Sequence, residues 1–259
     1  MSLESIETVR AERDRLARAL KEQTAQVEAV NKEFEQFSHS LSHDLRAPLR
    51  ALEGFAQILI EDYSPSLDAE GKRCVEILCQ SARKASSLIE DLLVLSRLCR
   101  RPFTVRPFNM RGVVSRQVAE LQAEGVTAPF QIDDLPDAVG DAESVSKIWE
   151  QLLRNAVKFT GRQSKPLIEL GGRIEAERLV YFVRDNGVGF EPKYAGRLFG
   201  IFQRLHGEQE FEGRGIGLAV VKRLVHRHGG EVWAEGTVNK GATFSFSLPL
   251  PPASGAAPP

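Results

Sequence analysis

A histidine followed directly by an aspartate, His43-Asp44, is where this sequence could do covalent chemistry. A neutral imidazole is a competent nucleophile, and histidine is mostly neutral slightly above its unperturbed pKa of about 6.5. Attack on a phosphoryl group needs one ring nitrogen free and the other held as a proton donor. A carboxylate beside it on the same helix can accept that N–H, orient the ring and stabilise the charge that develops. A bare His-Asp pair is more often a solvated surface pair than a reaction centre, so the weight falls on what accompanies it.

Three stretches in the C-terminal half carry residue types suited to a nucleotide. In Leu152-Leu153-Arg154-Asn155-Ala156-Val157-Lys158-Phe159-Thr160, Asn155 and Lys158 lie one helical turn apart and share a face. An amide oxygen suits a hard Mg2+ ion, and an ammonium suits phosphate oxygens. Asp185, in Asp185-Asn186-Gly187-Val188-Gly189-Phe190, can accept a hydrogen bond from an exocyclic amine, while Gly187 and Gly189 let backbone approach a ligand. Gly213, Gly215 and Gly217 lead into a helix that carries Leu218 in its first turn, where bare N–H groups and the helix dipole favour phosphate. Singly, these read as a solvated helix face or a tight turn.

The elements that must position them follow from periodicity. Ile6, Val9, Arg13, Leu16, Leu20, Gln23, Val27, Val30, Phe34, Phe37 and Leu41 recur in steps of three and four, with charged flanks. That pattern predicts a parallel dimeric coiled coil in which Arg13 and Gln23 can fix register. It continues through His43 to about Tyr63, with Pro48 inside it, where the missing N–H favours a kink. Ser64-Pro65-Ser66-Leu67-Asp68 breaks the helix, and a second helix runs to about Leu98 on Val75, Leu78, Ala82, Ala85, Ile89 and Leu92. Two antiparallel helices per chain, doubled in a dimer, make a four-helix bundle.

Arg100-Arg101-Pro102 marks a boundary, beyond which helical and strand patterns mix. Helices are expected over about Arg111 to Ala123, from an Asp141 cap to about Phe159, and over about Ile216 to Arg227. Strands are expected at Phe130–Ile132, Leu167–Ile174, Leu179–Arg184, Glu231–Glu235 and Ala242–Leu248, with turns over Glu175–Arg178 and around Asn239-Lys240-Gly241. The fold class is therefore multidomain α and α+β: a coiled coil and helical hairpin, then a two-layer α/β sandwich with helices on one face of a mixed sheet. The expected domains are a coiled-coil signalling helix (1–30), a dimerisation and phosphotransfer hairpin (31–102), an ATP-binding domain (103–250) and a disordered tail (251–259).

Composition adds exclusions. With 42% hydrophobic and 27% charged residues the chain is of ordinary globular make-up, and a net charge of −1 gives no electrostatic footprint for nucleic acid. No apolar run reaches the roughly 18 residues of a membrane span. The three cysteines, Cys74, Cys79 and Cys99, have no metal or CxxC spacing and read as small helix residues in a reducing compartment, the cytoplasm.

Residues 31–250 resemble the sensor histidine kinases of two-component systems, in wording most like those attached to phytochrome-type photoreceptors. Ser42-His43-Asp44-Leu45-Arg46-Ala47-Pro48-Leu49 is similar to their phosphoacceptor box. Asn155, Lys158 and Phe159 fall in the N box, Asp185, Gly187 and Gly189 in the G1 box, Gly213, Gly215, Gly217 and Leu218 in the G2 box. Leu198-Phe199-Gly200-Ile201-Phe202-Gln203-Arg204-Leu205 resembles the F box.

The resemblance implies ATP and Mg2+ as cofactors, with Asn155 on the metal, Lys158 on phosphate and Asp185 reading the adenine amine. Phe199 and Phe202 would anchor a lid, and Arg204 would reach the γ-phosphate. It implies autophosphorylation of His43 with Asp44 assisting, then transfer to an aspartate of a response regulator, in a homodimer. Input would come from an upstream sensor domain or partner not present in this chain. Two departures stand out: Gln151 replaces a second N-box Asn, and Arg214 replaces the usual Thr or Ser, as a phosphate contact or a solvent-facing residue. Ala47 stands where members that dephosphorylate their regulator carry Thr or Asn, so weak phosphatase activity is expected. The gyrase and chaperone ATPases and anti-sigma serine kinases share the ATP domain but lack the His-Asp bundle. The alternative outside catalysis is a nucleotide-binding coiled-coil scaffold or pseudokinase.

Overall fold

A computed structural model describes residues 3–100, 103–161, 163–203, 205, 211 and 215–250, with the side chains of the two longest helices described in part. The chain divides into two compact units, Met1–Arg101 and Pro102–Pro259.

The first unit is a helical hairpin. Helix α1 spans Leu3–Asp62, about 90 Å at 1.5 Å per residue, and its helical assignment runs unbroken across Pro48. A single 3-10 turn, Ser64–Ser66, reverses the chain. Helix α2, Ala69–Arg100, is capped by Asp68, whose Oδ1 accepts from the Gly71 N–H at 2.7 Å.

Between the two helices the contact is made by small residues. Ala56, Val75 and Cys79 are buried together, with Ile60 and Leu67 packed against them. Of the expected α2 seam, Val75 and Ala82 are buried within the single hairpin, Cys79 (4% exposed) joins them, and Leu78 is 59% exposed. Small side chains let the two backbones approach, so the bulky neighbour is left outside. Of the N-terminal seam, Val30, Phe37 and Leu41 are exposed in the single chain, and the remaining apolar positions lie outside the described side chains.

The second unit is the two-layer sandwich. Strands β1 (Arg106–Phe108) and β3 (Ala138–Gly140) form a small antiparallel pair that the sequence pattern did not reveal. The main sheet has the order β2-β4-β5-β7-β6, from Phe130–Ile132, Ile168–Glu175, Arg178–Asp185, Gly241–Pro249 and Val232–Thr237. Only the β2–β4 pair is parallel. Helices α3 (Met110–Ala123), α4 (Ala142–Thr160) and α5 (Gly217–Arg227) cover one face.

Helix α4 is the beam of this unit. Asp141 caps it by accepting from the Ser144 N–H at 2.8 Å, and Val145, Ile148, Trp149, Leu152 and Leu153 form its buried face. Trp149 meets Tyr181 and Phe246 edge-on at 6.3 and 5.5 Å between ring centroids, and its indole N–H donates to Met110 Sδ at 3.2 Å. The Tyr181 hydroxyl finds the Pro136 carbonyl at 2.7 Å, which satisfies the one polar atom of a fully buried ring.

A buried histidine ties the chain's entry into this unit to two helices. His228, just past α5, accepts from the Asp141 N–H through Nε2 at 3.1 Å, so Nδ1 carries the proton and donates to the Leu224 carbonyl at 2.8 Å. Phe103 packs edge-on against the imidazole at 4.6 Å, with the Arg227 guanidinium 4.9 Å from the Phe103 centroid, and the Thr104 N–H donates to Asp141 Oδ2 at 3.0 Å. Burial lowers the His228 pKa from its ordinary value. The folded state then binds fewer protons than the unfolded chain, so the stability His228 supplies is complete above about pH 6.5 and is lost as pH falls below that. His228→Ala is expected to cost roughly 2–3 kcal/mol at pH 8, and less at pH 5.5. Both tryptophans, Trp149 and Trp233, lie in this unit, so urea unfolding followed by tryptophan fluorescence reads it directly. A cost that stays constant or grows as pH falls would refute the assignment of the neutral tautomer.

Candidate functional site

The nucleotide-type residues gather where α4 ends, β5 ends and α5 begins. Gln151, Asn155, Lys158 and Phe159 are half-buried along the last turns of α4. Gln151, met in the sequence only as a departure, has its amide oxygen against the first residue of α5: a Cβ on Gly217 would come within 2.7 Å of Gln151 Oε1. The Lys158 ammonium lies 4.2 Å from the Phe159 ring centroid.

Asp185 is the last residue of β5 and is only 3% exposed. Its Oδ1 accepts from the Gly187 N–H at 2.9 Å, whereas Oδ2 is buried without a hydrogen-bond partner. Desolvation pushes its pKa up to about 6, against the opposing pull of the Gly187 and Ala242 N–H groups. Buried acceptors are rarely left unsatisfied, and one held in this way is ready for a donor brought by a ligand.

The loop after Asp185 is locked on three sides. The Val188 N–H donates to the Phe159 carbonyl at 3.3 Å, the Asn239 N–H donates to the Val188 carbonyl at 2.7 Å, and the Asn186 amide bridges the Leu167 N–H and the Lys165 carbonyl at 2.9 and 2.8 Å. Asn186 is thus a clasp that sequence reasoning did not assign. The glycines are demanded by close approach: a Cβ at Gly187 would stand 2.4 Å from the Phe159 carbonyl oxygen, and at Gly189, φ +63°, 2.0 Å from that of Thr237.

Gly215 adopts φ +77° ahead of α5, whose N-cap, Ile216, has no side-chain acceptor. The N–H groups of the first turn, including Gly217 and Leu218, are therefore not closed off by a side-chain cap, and the dipole favours an anion there. Phe199 is buried and meets Phe244 edge-on at 6.5 Å. Phe202 differs from the expected anchor: it is 39% exposed with φ +60°, a left-handed backbone uncommon for a bulky residue, so of the two aromatics only Phe199 is packed into the core. Phe211, which belongs to the Glu210-Phe211-Glu212-Gly213 wording of the resemblance but was given no role of its own, packs on Phe159 with ring centroids 4.9 Å apart.

Arg204, Gly213 and Arg214 lie outside the described residues, as does the tail from 251 to 259. In the hairpin unit the backbone of His43 lies within α1, its side chain is outside those described, and Asp44 is exposed. On the sheet face away from the helices, the row Glu169, Arg184, Thr243 and Glu235 borders a cavity of about 690 Å³ to which α4 contributes nothing. It holds none of the nucleotide-type side chains of α4, but Asp185 and Asn186 line it as well, so it reaches the end of β5.

Raising a carboxylate's pKa on folding has a definite consequence. Between about 3.8 and 6 the folded state binds more protons than the unfolded chain, so the charged Asp185 costs stability that grows as pH rises through this window. About two pKa units correspond to roughly 3 kcal/mol. Asp185→Asn keeps an acceptor for the Gly187 N–H and removes the charge. It is expected to stabilise the nucleotide-free unit by roughly 2–3 kcal/mol at pH 8, with the gain shrinking towards pH 4.5. Fluorescence-monitored urea titrations at both pH values measure this, and a destabilised variant at pH 8 would contradict it.

Residues 140–252 match the family described as histidine kinase-, DNA gyrase B-, and HSP90-like ATPases, and residues 35–99 match the His Kinase A (phospho-acceptor) domain. The phytochrome-like protein Cph1 of Synechocystis is 30% identical over 238 residues, covering 91% of this chain and 32% of that protein. The methanogenesis regulatory histidine kinase FilI of Methanothrix harundinacea is 35% identical over 247 residues, covering 93% of this chain and 27% of that protein. Among solved structures, full-length ShkA in complex with AMPPNP aligns with a TM-score of 0.57 at 30% identity, over 85% of this chain and 47% of that one. The chain thus spans about a third of the length of these curated relatives. With a phospho-acceptor hairpin and an ATPase unit in that order, the chain carries the core of a sensor histidine kinase.

Proposed function

We propose that this chain transfers the γ-phosphoryl group of ATP to His43 and passes it on to an aspartate of a response regulator. The observation that carries this reading is the combination, in one chain, of a phospho-acceptor hairpin bearing His43-Asp44 with an ATPase unit whose buried Asp185 Oδ2 lacks a partner. Asp185 would accept from the adenine amine, and the rigid glycine loop after it would admit the base. Lys158 and the first turn of α5 would hold phosphate oxygens, joined by Arg204. Phe159, Phe199, Phe202, Gly213, Gly215, Gly217 and Leu218 would shape the remainder of the site.

The chemistry needs little more than placement and charge. The free ring nitrogen of neutral His43 attacks the γ-phosphorus, an N–P bond forms, the bond to the β-phosphate oxygen breaks, and ADP leaves. Asp44 accepts the N–H of the other ring nitrogen and stabilises the cationic ring. Mg2+ would supply charge neutralisation on the phosphates, and the Asn155 amide oxygen would be a suitable hard donor to hold it. Among the described residues no group of three or more His, Cys, Asp or Glu could hold a metal.

A second copy is the natural partner of the hairpin. Leu45, Leu52, Phe55 and Leu59 on α1 and Ile77 and Leu78 on α2 are exposed in the single chain, and pairing two hairpins into a four-helix bundle would bury them. In this reading residues 1–30 are a signalling coiled coil, 31–102 the dimerisation and phosphotransfer hairpin, and 103–250 the ATP-binding domain. Among the described residues no helix is long and apolar enough to cross a membrane, and a cytoplasmic setting suits a partner receiver domain. The scaffold or pseudokinase alternative is not favoured, given the complete set of boxes.

Incubation with Mg2+ and γ-labelled ATP tests the assignment. Wild type is expected to acquire an acid-labile, alkali-stable label, and His43→Gln and Asn155→Asp to acquire none. Label persisting in His43→Gln would mean another acceptor, and an unlabelled wild type that still binds ATP would favour the scaffold.

A further inference from the structure

Phe211 occupies a position that neither the core nor the sequence boxes account for. It lies between the F-box and G2 stretches, outside every helix and strand, and is half-buried. Its ring packs on Phe159, with centroids 4.9 Å apart and planes tilted by 59°. On the same Phe159 ring lies the Lys158 ammonium, 4.2 Å from the centroid. The backbone of Phe159 is already fixed, since its carbonyl accepts from the Val188 N–H and bars any side chain at Gly187. Its half-buried ring is oriented by what packs on it, and Phe211 is one such neighbour.

We propose that Phe211 is a positioning residue for the phosphate end of the nucleotide site, acting by holding the Phe159 ring that in turn carries the Lys158 ammonium. A tilted aromatic pair adds orientation beyond the area it buries. A cation–π contact strengthens as water is excluded from it. Lysine loses much rotamer freedom when its ammonium is fixed, so an ammonium already held over a ring binds phosphate with less of that loss still to come. The inference rests on the reading of Lys158 as a phosphate contact.

The test compares ADP and adenosine, which differ only in phosphate, by calorimetry or NMR titration on the whole chain. Phe211→Ala is expected to weaken ADP binding about three- to tenfold and to leave adenosine binding unchanged. Phe211→Tyr, which keeps the ring, is expected to restore ADP affinity. In a Lys158→Ala background, Phe211→Ala is expected to have no further effect on ADP, because the two act as one unit. Equal tryptophan-monitored unfolding of the variants would show that the fold is kept. Unchanged ADP affinity in Phe211→Ala, while Lys158→Ala weakens it, would overturn the proposal alone. An equal loss for adenosine would also overturn it and make Phe211 a wall of the base pocket. If Lys158→Ala itself left ADP binding intact, the phosphate assignment would fall and the proposal with it.

Discussion

The account turns on one carboxylate taken out of water and given half of what it needs. Asp185 is placed at the end of a central strand, where Gly187 answers one oxygen and nothing answers the other. A charged group in that setting destabilises the empty unit unless something else gains from it. The surroundings are consistent with that cost being tolerated for a ligand. The loop that follows is clasped from α4, β4 and the β6–β7 hairpin, so the acceptor cannot relax towards another donor. Rigid backbone and an unmet acceptor together make a site that distinguishes ligands by whether they bring a donor to one point.

Helix α4 connects that point to the core and to the chain's entry. Its N-terminus is fixed by Asp141, which also receives Thr104 and donates to His228; its middle carries Trp149 into the aromatic core; its end carries Asn155, Lys158 and the Phe159 carbonyl. The side chains at its last turns are therefore held by contacts two or more turns away. The hairpin unit is built differently. Its two helices meet through alanine, valine and cysteine, which bring the backbones close but bury little apolar area, and larger side chains are left outward. A helical pair of that kind leaves apolar surface for a second pair to cover in the proposed dimer.

Much of this was legible in the sequence because the signals were local. The Asp141 cap, the 3.6-residue pattern of α4 and the alternation in β4 and β5 each depend on neighbours within a few residues, and the elements lie within a residue or two of where they were expected. Strands β1 and β3 escaped notice because neither Arg106-Pro107-Phe108 nor Ala138-Val139-Gly140 alternates apolar and polar residues, as the equally short β2, Phe130-Gln131-Ile132, does. The burial of Cys79 inside the hairpin, with Leu78 left outward in the single chain, reflects how closely two helices approach, which a hydrophobicity pattern does not encode. The roles of Gln151, Asn186 and Phe211 depend on what lies across the fold: an amide against the first glycine of α5, a clasp between strand ends, a ring on a ring. The Glu210-Phe211-Glu212-Gly213 wording drew notice to the stretch in the sequence, but not to the ring that Phe211 would meet.

The central claim is that the unmet oxygen of Asp185 reads the exocyclic amine of adenine. The most direct measurement is the dissociation constant of ATP beside that of purine riboside 5′-triphosphate, which lacks only that amine. The account predicts weaker binding of the analogue on the order of a hundredfold, since the buried acceptor is then left unpaired. Affinities within threefold of each other would contradict it.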